Sequence, residues 1–187
     1  GETVIKNAAC EPEITELATF LNKCGAKIHG AGSGKITVEG VKELKGCEHT
    51  VIPDRIMTAT YMACSAVTGG EITIKNTCPE HILPCLGIFE KSGCTVKKAK
   101  DIVYIKSPEC LHAPGTVRTM PYPGFPTDFQ ASAMVMASIA DSTSVFIENI
   151  FESRYKHASE LIRMGADIKT DGRVAVVEGV KTLTGNN

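Results

Sequence analysis

IKNAACEPEITELATFLNKCGAKI, residues 5–28, is the first of three similar stretches in the chain. The other two keep its order of hydrophobic strand, asparagine, helix pattern and glycine: IKNTCPEHILPCLGIFEKSGCTV at 74–96 and IENIFESRYKHASELIRMGADI at 147–168. The asparagines that follow the strand pattern are 69 and 73 residues apart, at positions 7, 76 and 149. A period of about 70 residues predicts a chain built from copies of one structural unit.

Each unit reads as a strand, an amphipathic helix, a glycine stop and a two-stranded ribbon. In the first unit Ile14, Leu17, Ala18 and Leu21 follow the spacing of one buried helix face. Glycines suited to a helix C-cap follow at positions 25, 93 and 165. The ribbons are predicted from residues 26–30 with 35–40, 95–99 with 101–106, and 166–170 with 173–179.

The second and third units also carry an earlier helix, DRIMTATYMACSAV from Asp54 and DFQASAMVMASIA from Asp128. Both sequences are apolar on nearly every side and rich in Ala, Ser and Met, which predicts burial all round. We therefore expect an α/β (α+β) fold with these helices inside and the sheets outside.

A proline-rich loop, TMPYPGFPTDFQ at 119–130, precedes the second of these helices. Proline fixes its own φ and holds the residue before it in an extended conformation, so the loop should be rigid. Thr127 is the predicted N-cap, and Asp128 lies in the first turn, where the helix dipole favours an ionised carboxylate. The alternative is that both residues only start the helix.

The composition excludes several classes of protein. The chain has 187 residues, 43% of them hydrophobic, and 20 basic against 21 acidic side chains, which indicates a globular protein with no charge bias toward nucleic acid or an anionic membrane. With no Trp, four Tyr and six Phe, it has no aromatic platform for stacking bases. No apolar stretch is long enough to span a bilayer.

The eight cysteines include no C-x-x-C pair, and the five histidines have no metal-ligand spacing, so neither a zinc site nor another metal site is predicted. Free thiols in apolar patterns indicate a reducing, cytoplasmic setting.

The two ends of the chain share a motif. EGVKELKG at 39–46 recurs as EGVKTLTG at 178–185, but only the first copy leads into a further helix start. The first unit also lacks the earlier helix of the other two. We therefore expect the chain to be a segment of a longer protein.

Four clustered strings, NAACEPEI, GCEHTVIPDRI, VRTMPYPGFPTD and RMGADIK, resemble the UDP-N-acetylglucosamine 1-carboxyvinyltransferase family, the bacterial enolpyruvyl transferases of peptidoglycan synthesis. The resemblance spans essentially the whole chain. It implies an inside-out α/β barrel of βαβαββ repeats, of which about two and a half are present here. It also implies that residues 1–50 end a first domain and that 51–187 form two repeats of a second.

The resemblance further implies a transferase reaction. The family transfers the enolpyruvyl group of phosphoenolpyruvate to the 3-hydroxyl of UDP-N-acetylglucosamine and releases phosphate, the first committed step of peptidoglycan synthesis, in the cytoplasm. It implies no cofactor and no metal. The expected partners are the two substrates and the remainder of the same polypeptide, without nucleic acid or membrane.

Three residues match the family's substrate contacts. Asp128 is similar to a carboxylate that binds a sugar hydroxyl or acts as general base, and Ile150 matches a position that contacts the nucleotide sugar, here through its backbone. Arg154 matches an arginine that faces the enolpyruvyl carboxylate, and a guanidinium fork suits that group. The alternative for Arg154 is a surface pair with Glu152 or Glu148.

Three further residues are candidates for the cleft or hinge: Asp54, Arg55 and Arg118. The competing interpretation of Asp54 and Arg55 is a helix cap. For Arg118, anion binding and a role in holding the proline-rich loop stay equally open.

The chain departs from the family's usual residues at four positions: Met57, Ala59, Ser153 and Tyr155. None of its cysteines matches the family's reactive cysteine, which the resemblance places ahead of residue 1, so the chain alone is expected to have no turnover. Two alternatives stay open: a transferase that acts on shikimate 3-phosphate, and a non-catalytic repeat module.

Overall fold

The computed structural model of the chain describes residues 1–185, which form five α-helices and ten strands. The helices are α1 Pro12–Lys23, α2 Arg55–Val67, α3 Leu83–Lys91, α4 Gln130–Ser138 and α5 Lys156–Arg163. The strands are β1 Glu2–Lys6, β2 Lys27–His29, β3 Lys35–Glu39, β4 Glu71–Lys75, β5 Thr95–Lys98, β6 Ile102–Lys106, β7 Thr116–Arg118, β8 Ser144–Ile147, β9 Asp167–Asp171 and β10 Val174–Glu178.

Three sheets repeat one topology. Their orders are β1-β3-β2, β4-β6-β5 and β7-β8-β10-β9, and in each the strand before the amphipathic helix pairs antiparallel with the last strand of the ribbon. All three predicted ribbons form as antiparallel pairs. The third sheet has one extra strand, β7, which pairs parallel to β8 after a crossover through α4. The repeat prediction is therefore confirmed, and the sheets formed by residues 1–185 are open.

The helix-ending glycines adopt the conformation that their predicted role requires. Gly25, Gly93 and Gly165 have φ values of 101°, 85° and 97°, in the region that disfavours side chains with a Cβ. They let the chain turn from each amphipathic helix into the ribbon that follows it.

Backbone contacts divide the chain into two compact units. Gly1–Ile52 with Pro121–Pro123 forms the first unit, and Pro53–Met120 with the chain from Gly124 onward forms the second.

The second unit contains the large hydrophobic core. Helices α2 and α4 contact one another there, and Ala59, Met62, Ala133 and Met134 at their centres are fully buried. One face of each neighbouring sheet also contributes buried side chains to this core: Val103, Ile105, Phe146, Ala175 and Val177. Small residues allow the two helices to lie close together, as their composition predicts.

Helix α2 is less buried than its sequence predicts. Met57 and Tyr61 are 52% and 57% exposed, and Cys64 is exposed on the same face. These positions are spaced by four and three residues, so they form one stripe along the helix. The prediction of burial on every side was wrong for this stripe, because the sheets and α4 cover only the opposite face.

The apolar face of α1 in the first unit is also only partly covered. Ala18 is buried as predicted, but Leu17 is 53% exposed. In its own unit α1 has a single three-stranded sheet to pack against, and the strand β1 has no buried residue. A unit of this size has little opposing surface with which to bury a second helical stripe.

The second copy of the motif shared by the two ends, EGVKTLTG, contains a glycine that packing requires. A Cβ built on Gly179 would overlap the carbonyl oxygen of Ala140, while Val180 N donates to Ser138 O at 2.8 Å. The chain after β10 therefore lies directly against the end of α4, and only glycine fits there.

None of the helices within residues 1–185 is long and apolar enough to cross a membrane.

The packing of α2 predicts that two methionines on one helix respond differently to truncation. Met62→Ala should lower the free energy of unfolding by about 2–5 kcal/mol, because it leaves a cavity at a fully buried site. Met57→Ala, the matched control on the exposed stripe, should change it by less than about 0.5 kcal/mol. Urea unfolding measures both, and equal losses would contradict the assignment of the buried face.

Candidate functional site

Asp128 lies in a short 3₁₀ turn, Thr127–Phe129, that leads into α4. The predicted N-cap at Thr127 was wrong: the turn begins after Pro126, and no side chain caps it. The Thr127 hydroxyl instead donates to Glu148 Oε2 at 2.9 Å. A tertiary partner has therefore taken the hydroxyl that local sequence assigned to the helix end.

The residue after Asp128 fixes the turn in the core. Phe129 is fully buried, and its ring centroid lies 5.5 Å from that of Phe89 and 5.8 Å from that of Phe125. Phe129 N also donates to Pro126 O at 3.1 Å. Asp128 is thus held on a rigid backbone while its carboxylate points to solvent, with 58% of the side chain exposed.

Arg154 meets this carboxylate directly. Its Nη2 donates to Asp128 Oδ1 at 2.6 Å, and its guanidinium lies 5.1 Å from the centre of the Phe151 ring. The alternative pairs for Arg154 were wrong, since Glu152 pairs with Arg173 and Glu148 is occupied elsewhere. The structure therefore brings together two residues that are 26 positions apart.

Glu148, which the sequence suggested only as a surface partner of Arg154, is a buried polar residue at the centre of this region. Its side chain is 1% exposed, yet it accepts four hydrogen bonds. The donors are the hydroxyls of Thr119 (2.8 Å) and Thr127 (2.9 Å) and the backbone N–H groups of Ile150 (2.9 Å) and Phe151 (3.1 Å). One carboxylate thus joins the start of the proline-rich loop, its end, and the segment that leads to Arg154.

These hydrogen bonds decide the ionisation of Glu148. Burial alone would raise its pKa, but the bonds from Thr119, Ile150, Phe151 and Thr127 together hold the pKa below the ordinary value of 4.5. The carboxylate is therefore charged at neutral pH, and four hydrogen-bond donors stabilise its charge.

A signal for Glu148 was present in the repeats. Glu148 occupies the position of Lys6 and Lys75 in the other two units, and both lysines are exposed. A reversal of charge at one copy of a repeated position points to a different environment for that copy.

Ile150 is half-buried at the end of the strand segment, and its N–H is used by Glu148. A backbone contact from Ile150 to a ligand would therefore have to use its carbonyl oxygen.

Asp54 and Arg55 stand at the start of α2. Asp54 Oδ1 accepts hydrogen bonds from Ile56 N at 2.8 Å and Met57 N at 2.9 Å, so Asp54 is the N-cap of this helix. Arg55 is buried, with 7% of its surface exposed. A cleft or hinge role for the two residues stays a prediction.

Arg118 ends β7 opposite Ile147 and is exposed. The next residue, Thr119, is buried; its N–H donates to Ile147 O and its hydroxyl to Glu148. Arg118 is therefore on the surface beside the Glu148 cluster, which consists of Glu148 and its donors Thr119, Thr127, Ile150 and Phe151.

Two of the departures from the family pattern have a structural correlate here. Ser153 adopts φ +54°, a left-handed conformation that asparagine or glycine adopts more easily than serine. The Tyr155 hydroxyl lies 3.1 Å from both the Phe146 and Arg173 carbonyl oxygens, and burial raises its pKa to about 12. The extra hydroxyl of Tyr155 is therefore satisfied.

A cavity of about 460 Å³ adjoins Arg154 and is lined by Phe151, Glu152, Ser153, Arg154, Lys156 and His157. Burial lowers the pKa of His157, so this imidazole is neutral at pH 7. In the part of the chain that the structure describes, no three His, Cys, Asp or Glu side chains are placed to hold a metal ion.

A comparison with family models matches residues 1–187 to the EPSP synthase family, 3-phosphoshikimate 1-carboxyvinyltransferase. The chain belongs to this family. Individual relatives with the name that the motifs indicated also confirm the resemblance.

Two curated relatives carry the same name. UDP-N-acetylglucosamine 1-carboxyvinyltransferase 1 of Symbiobacterium thermophilum is 51% identical over 185 residues, which cover 99% of this chain and 42% of the relative. Its namesake in Caldanaerobacter subterraneus subsp. tengcongensis is also 51% identical, with 99% and 44% covered. The chain thus spans less than half the length of these relatives.

Solved structures confirm the fold. The enolpyruvyl transferase NikO from Streptomyces tendae matches 96% of this chain and 43% of its own, with a TM-score of 0.80 at 22% identity. EPSP synthase from Acinetobacter baumannii matches 99% of this chain and 43% of its own, with a TM-score of 0.51 at 16% identity. The predicted enolpyruvyl transferase type of α/β repeat fold is therefore correct.

The Glu148 cluster predicts a specific loss of stability. Glu148→Gln should lower the free energy of unfolding by about 1–3 kcal/mol, because the new NH₂ group would face hydrogen-bond donors in a buried site. Glu152→Gln, four residues away with an 86% exposed side chain, is the matched control and should change it by less than about 0.5 kcal/mol.

The same cluster predicts a pH dependence. The folded-state pKa of Glu148 is lowered, so its contribution is present above the ordinary value of 4.5 and is lost as pH falls through the folded pKa. Urea unfolding between pH 7 and pH 3 should therefore show a smaller loss of stability in Glu148→Gln than in the wild type. If the free energy of unfolding fell equally with pH in the wild type and in Glu148→Gln, Glu148 would not be ionised in the folded state.

Proposed function

We propose that this chain supplies one wall of the substrate site of a UDP-N-acetylglucosamine 1-carboxyvinyltransferase, which transfers the enolpyruvyl group of phosphoenolpyruvate to the sugar's 3-hydroxyl. The observation that carries the proposal is the pairing of an exposed carboxylate, Asp128, with the guanidinium of Arg154 on a common rigid frame. The names of the relatives at about 50% identity support the choice of substrate.

Asp128 is suited to orient a hydroxyl group. Its backbone is anchored through Phe129, and its exposed carboxylate oxygens accept hydrogen bonds. Holding the attacking oxygen at a fixed place lowers the entropic cost of the transfer, and a carboxylate within hydrogen-bond reach can take up the hydroxyl proton as the new C–O bond forms. We assign Asp128 the orienting role first.

Arg154 is suited to bind the carboxylate of the enolpyruvyl group. A guanidinium carries five N–H donors in a planar fork, and the bond to Asp128 uses Nη2. A ligand that offers a hydroxyl to Asp128 and a carboxylate to Arg154 would replace the 2.6 Å bond with one contact on each side. The two side chains therefore fit a reaction that joins a sugar hydroxyl, the acceptor, to a donor that carries a carboxylate.

The proposed reaction needs groups that this chain does not supply. In the addition step, the 3-hydroxyl oxygen bonds to C2 of phosphoenolpyruvate, a base takes the hydroxyl proton, and C3 takes up a proton as the double bond opens. In the elimination step, a base removes a proton from C3, the double bond re-forms and the bond between C2 and the phosphate oxygen breaks. None of the eight cysteines matches the family's reactive cysteine, so we predict no turnover by the chain alone. We further propose that the complete enzyme acts in the cytoplasm, in cell-wall synthesis and hence in cell shape and division.

Substitution in the product of the complete reading frame tests these assignments. Asp128→Asn keeps the size of the side chain but removes its charge, and it should lower kcat/KM for UDP-N-acetylglucosamine by about 10²–10⁴-fold. Arg154→Lys should weaken phosphoenolpyruvate binding, because a point charge replaces the fork. Phosphate release measures both.

Asp141→Asn is the matched control, since this carboxylate pairs with His112 and has no proposed role in the reaction. It should leave kcat/KM unchanged within about twofold. Equal activity of Asp128→Asn and wild type would refute the role of Asp128. Activity with shikimate 3-phosphate in place of the nucleotide sugar would assign the chain to the other branch of the family, and no activity with either would favour a non-catalytic repeat module.

A further inference from the structure

The segment Lys45–Ile52 of the first unit has no regular secondary structure, yet it is fixed along one face of α1. Lys45 N donates to the Cys24 carbonyl oxygen at 2.7 Å, and Ile52 N donates to Glu16 Oε1 at 3.0 Å. Between these bonds, the His49 ring packs edge-on against Phe20 with centroids 5.5 Å apart. The contacted positions on the helix, 16, 20 and 24, are spaced by four residues, so the segment runs antiparallel to α1 along a single stripe.

Two thiols face each other within this contact. Cys24 Sγ and Cys47 Sγ are 3.3 Å apart, although the residues are 23 positions apart in sequence. Cys24 is 8% exposed, at the C-cap of α1, and Cys47 is half-buried on the segment. The sulfur atoms are close enough to form an S–S bond of about 2.05 Å with a shift of little more than 1 Å.

We propose that Cys24 and Cys47 are an oxidative modification site, at which a hydroperoxide converts the two thiols into an intramolecular disulfide that a dithiol reverses. The proposal rests on the juxtaposition of the sulfurs and on the fixed course of Lys45–Ile52, and it is independent of the proposed transferase function.

The chemistry balances with hydrogen peroxide as the oxidant. The Cys47 thiolate, on the more accessible side, attacks one peroxide oxygen, which breaks the O–O bond, forms a sulfenic acid and releases one water after protonation. The Cys24 thiolate then attacks the Cys47 sulfur and displaces the second water. The two thiols together lose two electrons and two protons, and the peroxide is reduced to two water molecules.

Cys47 is only half-buried, unlike Cys85 and Cys94 in the core of the second unit. Burial raises the pKa of Cys85 to about 12 and of Cys94 to about 11, so both stay as thiols at neutral pH. The pKa of Cys24 is raised by its hydrogen bond with Cys47 and then by burial. Disulfide formation should therefore accelerate as pH rises, since each step needs a thiolate.

The disulfide would join Lys45–Ile52 covalently to α1. In the reduced form, non-covalent contacts besides the thiol pair hold this segment: a hydrogen bond from a backbone N–H at each end, the edge-on contact of the His49 ring with Phe20, and a 2.7 Å contact between His49 Nε2 and Glu16 Oε1. A covalent link would resist local opening of the segment, because the ends of the loop between the cysteines could no longer separate.

Peptide mapping of the purified protein tests the site directly. The protein is treated with a small excess of hydrogen peroxide at pH 8, alkylated, and digested with trypsin without reductant. Each thiol then lies in its own peptide, CGAK at 24–27 and GCEHTVIPDR at 46–55. We expect these two peptides to be recovered as one linked species that dithiothreitol separates. Recovery of both as separately alkylated peptides would overturn the proposal.

Two comparisons establish that the fold causes the link. The same treatment in 8 M urea should form the linked species at least about tenfold more slowly, because the effective concentration of the thiols falls. An equal rate would overturn the proposal.

Cys47→Ser should abolish the linked species, and Cys10→Ser, the matched control in the same unit, should leave the rate of its formation unchanged. Loss of the link in Cys10→Ser would show that a different pair forms first, which also contradicts the proposal.

Discussion

The site depends on one buried charge. Glu148 cannot be buried as a carboxylate unless donors surround it, since an unpaired charge in a protein interior costs several kcal/mol. The four donors that satisfy it come from three separate stretches of backbone, around Thr119, Thr127 and Ile150. Meeting the hydrogen-bond requirement of one side chain therefore fixes the relative positions of the segments that carry Asp128 and Arg154.

The repeat architecture explains how this charge came to have a special environment. The three units share strand order and glycine stops. Among residues 1–185, only the third unit has an additional strand, β7, which pairs with β8. That strand brings Thr119 next to Glu148, where the other two units have exposed lysines, Lys6 and Lys75. A common fold thus supplies the frame, and one altered position turns a surface residue into the centre of a polar cluster.

The sequence predicted what local patterns control. The repeat period, the three ribbons and the helix-ending glycines follow from residues close together in the chain, and the structure confirms all of them. The burial of Leu17 and of the Met57 stripe could not be read from the helix pattern, because it depends on which other layers cover each face. The partner of Thr127 was missed for a related reason. Capping rules consider only neighbouring residues, and the carboxylate that Thr127 contacts belongs to Glu148, 21 positions away.

Within the candidate site, sequence resemblance selected Asp128 and Arg154, and the structure places them in contact. The frame behind them was not selected, since a glutamate that follows a strand is usually exposed. Ser153 adds a second constraint, because its left-handed backbone turns the chain immediately before Arg154. The two side chains proposed to face the substrates are therefore positioned by two residues whose roles are structural.

The most direct measurement is a crystal structure of the complete reading-frame product with UDP-N-acetylglucosamine bound. Our account predicts that the sugar's 3-hydroxyl lies within about 3.2 Å of an Asp128 carboxylate oxygen, with Glu148 still bonded to all four of its donors. A nucleotide sugar bound elsewhere, with Asp128 still held by Arg154, would contradict it.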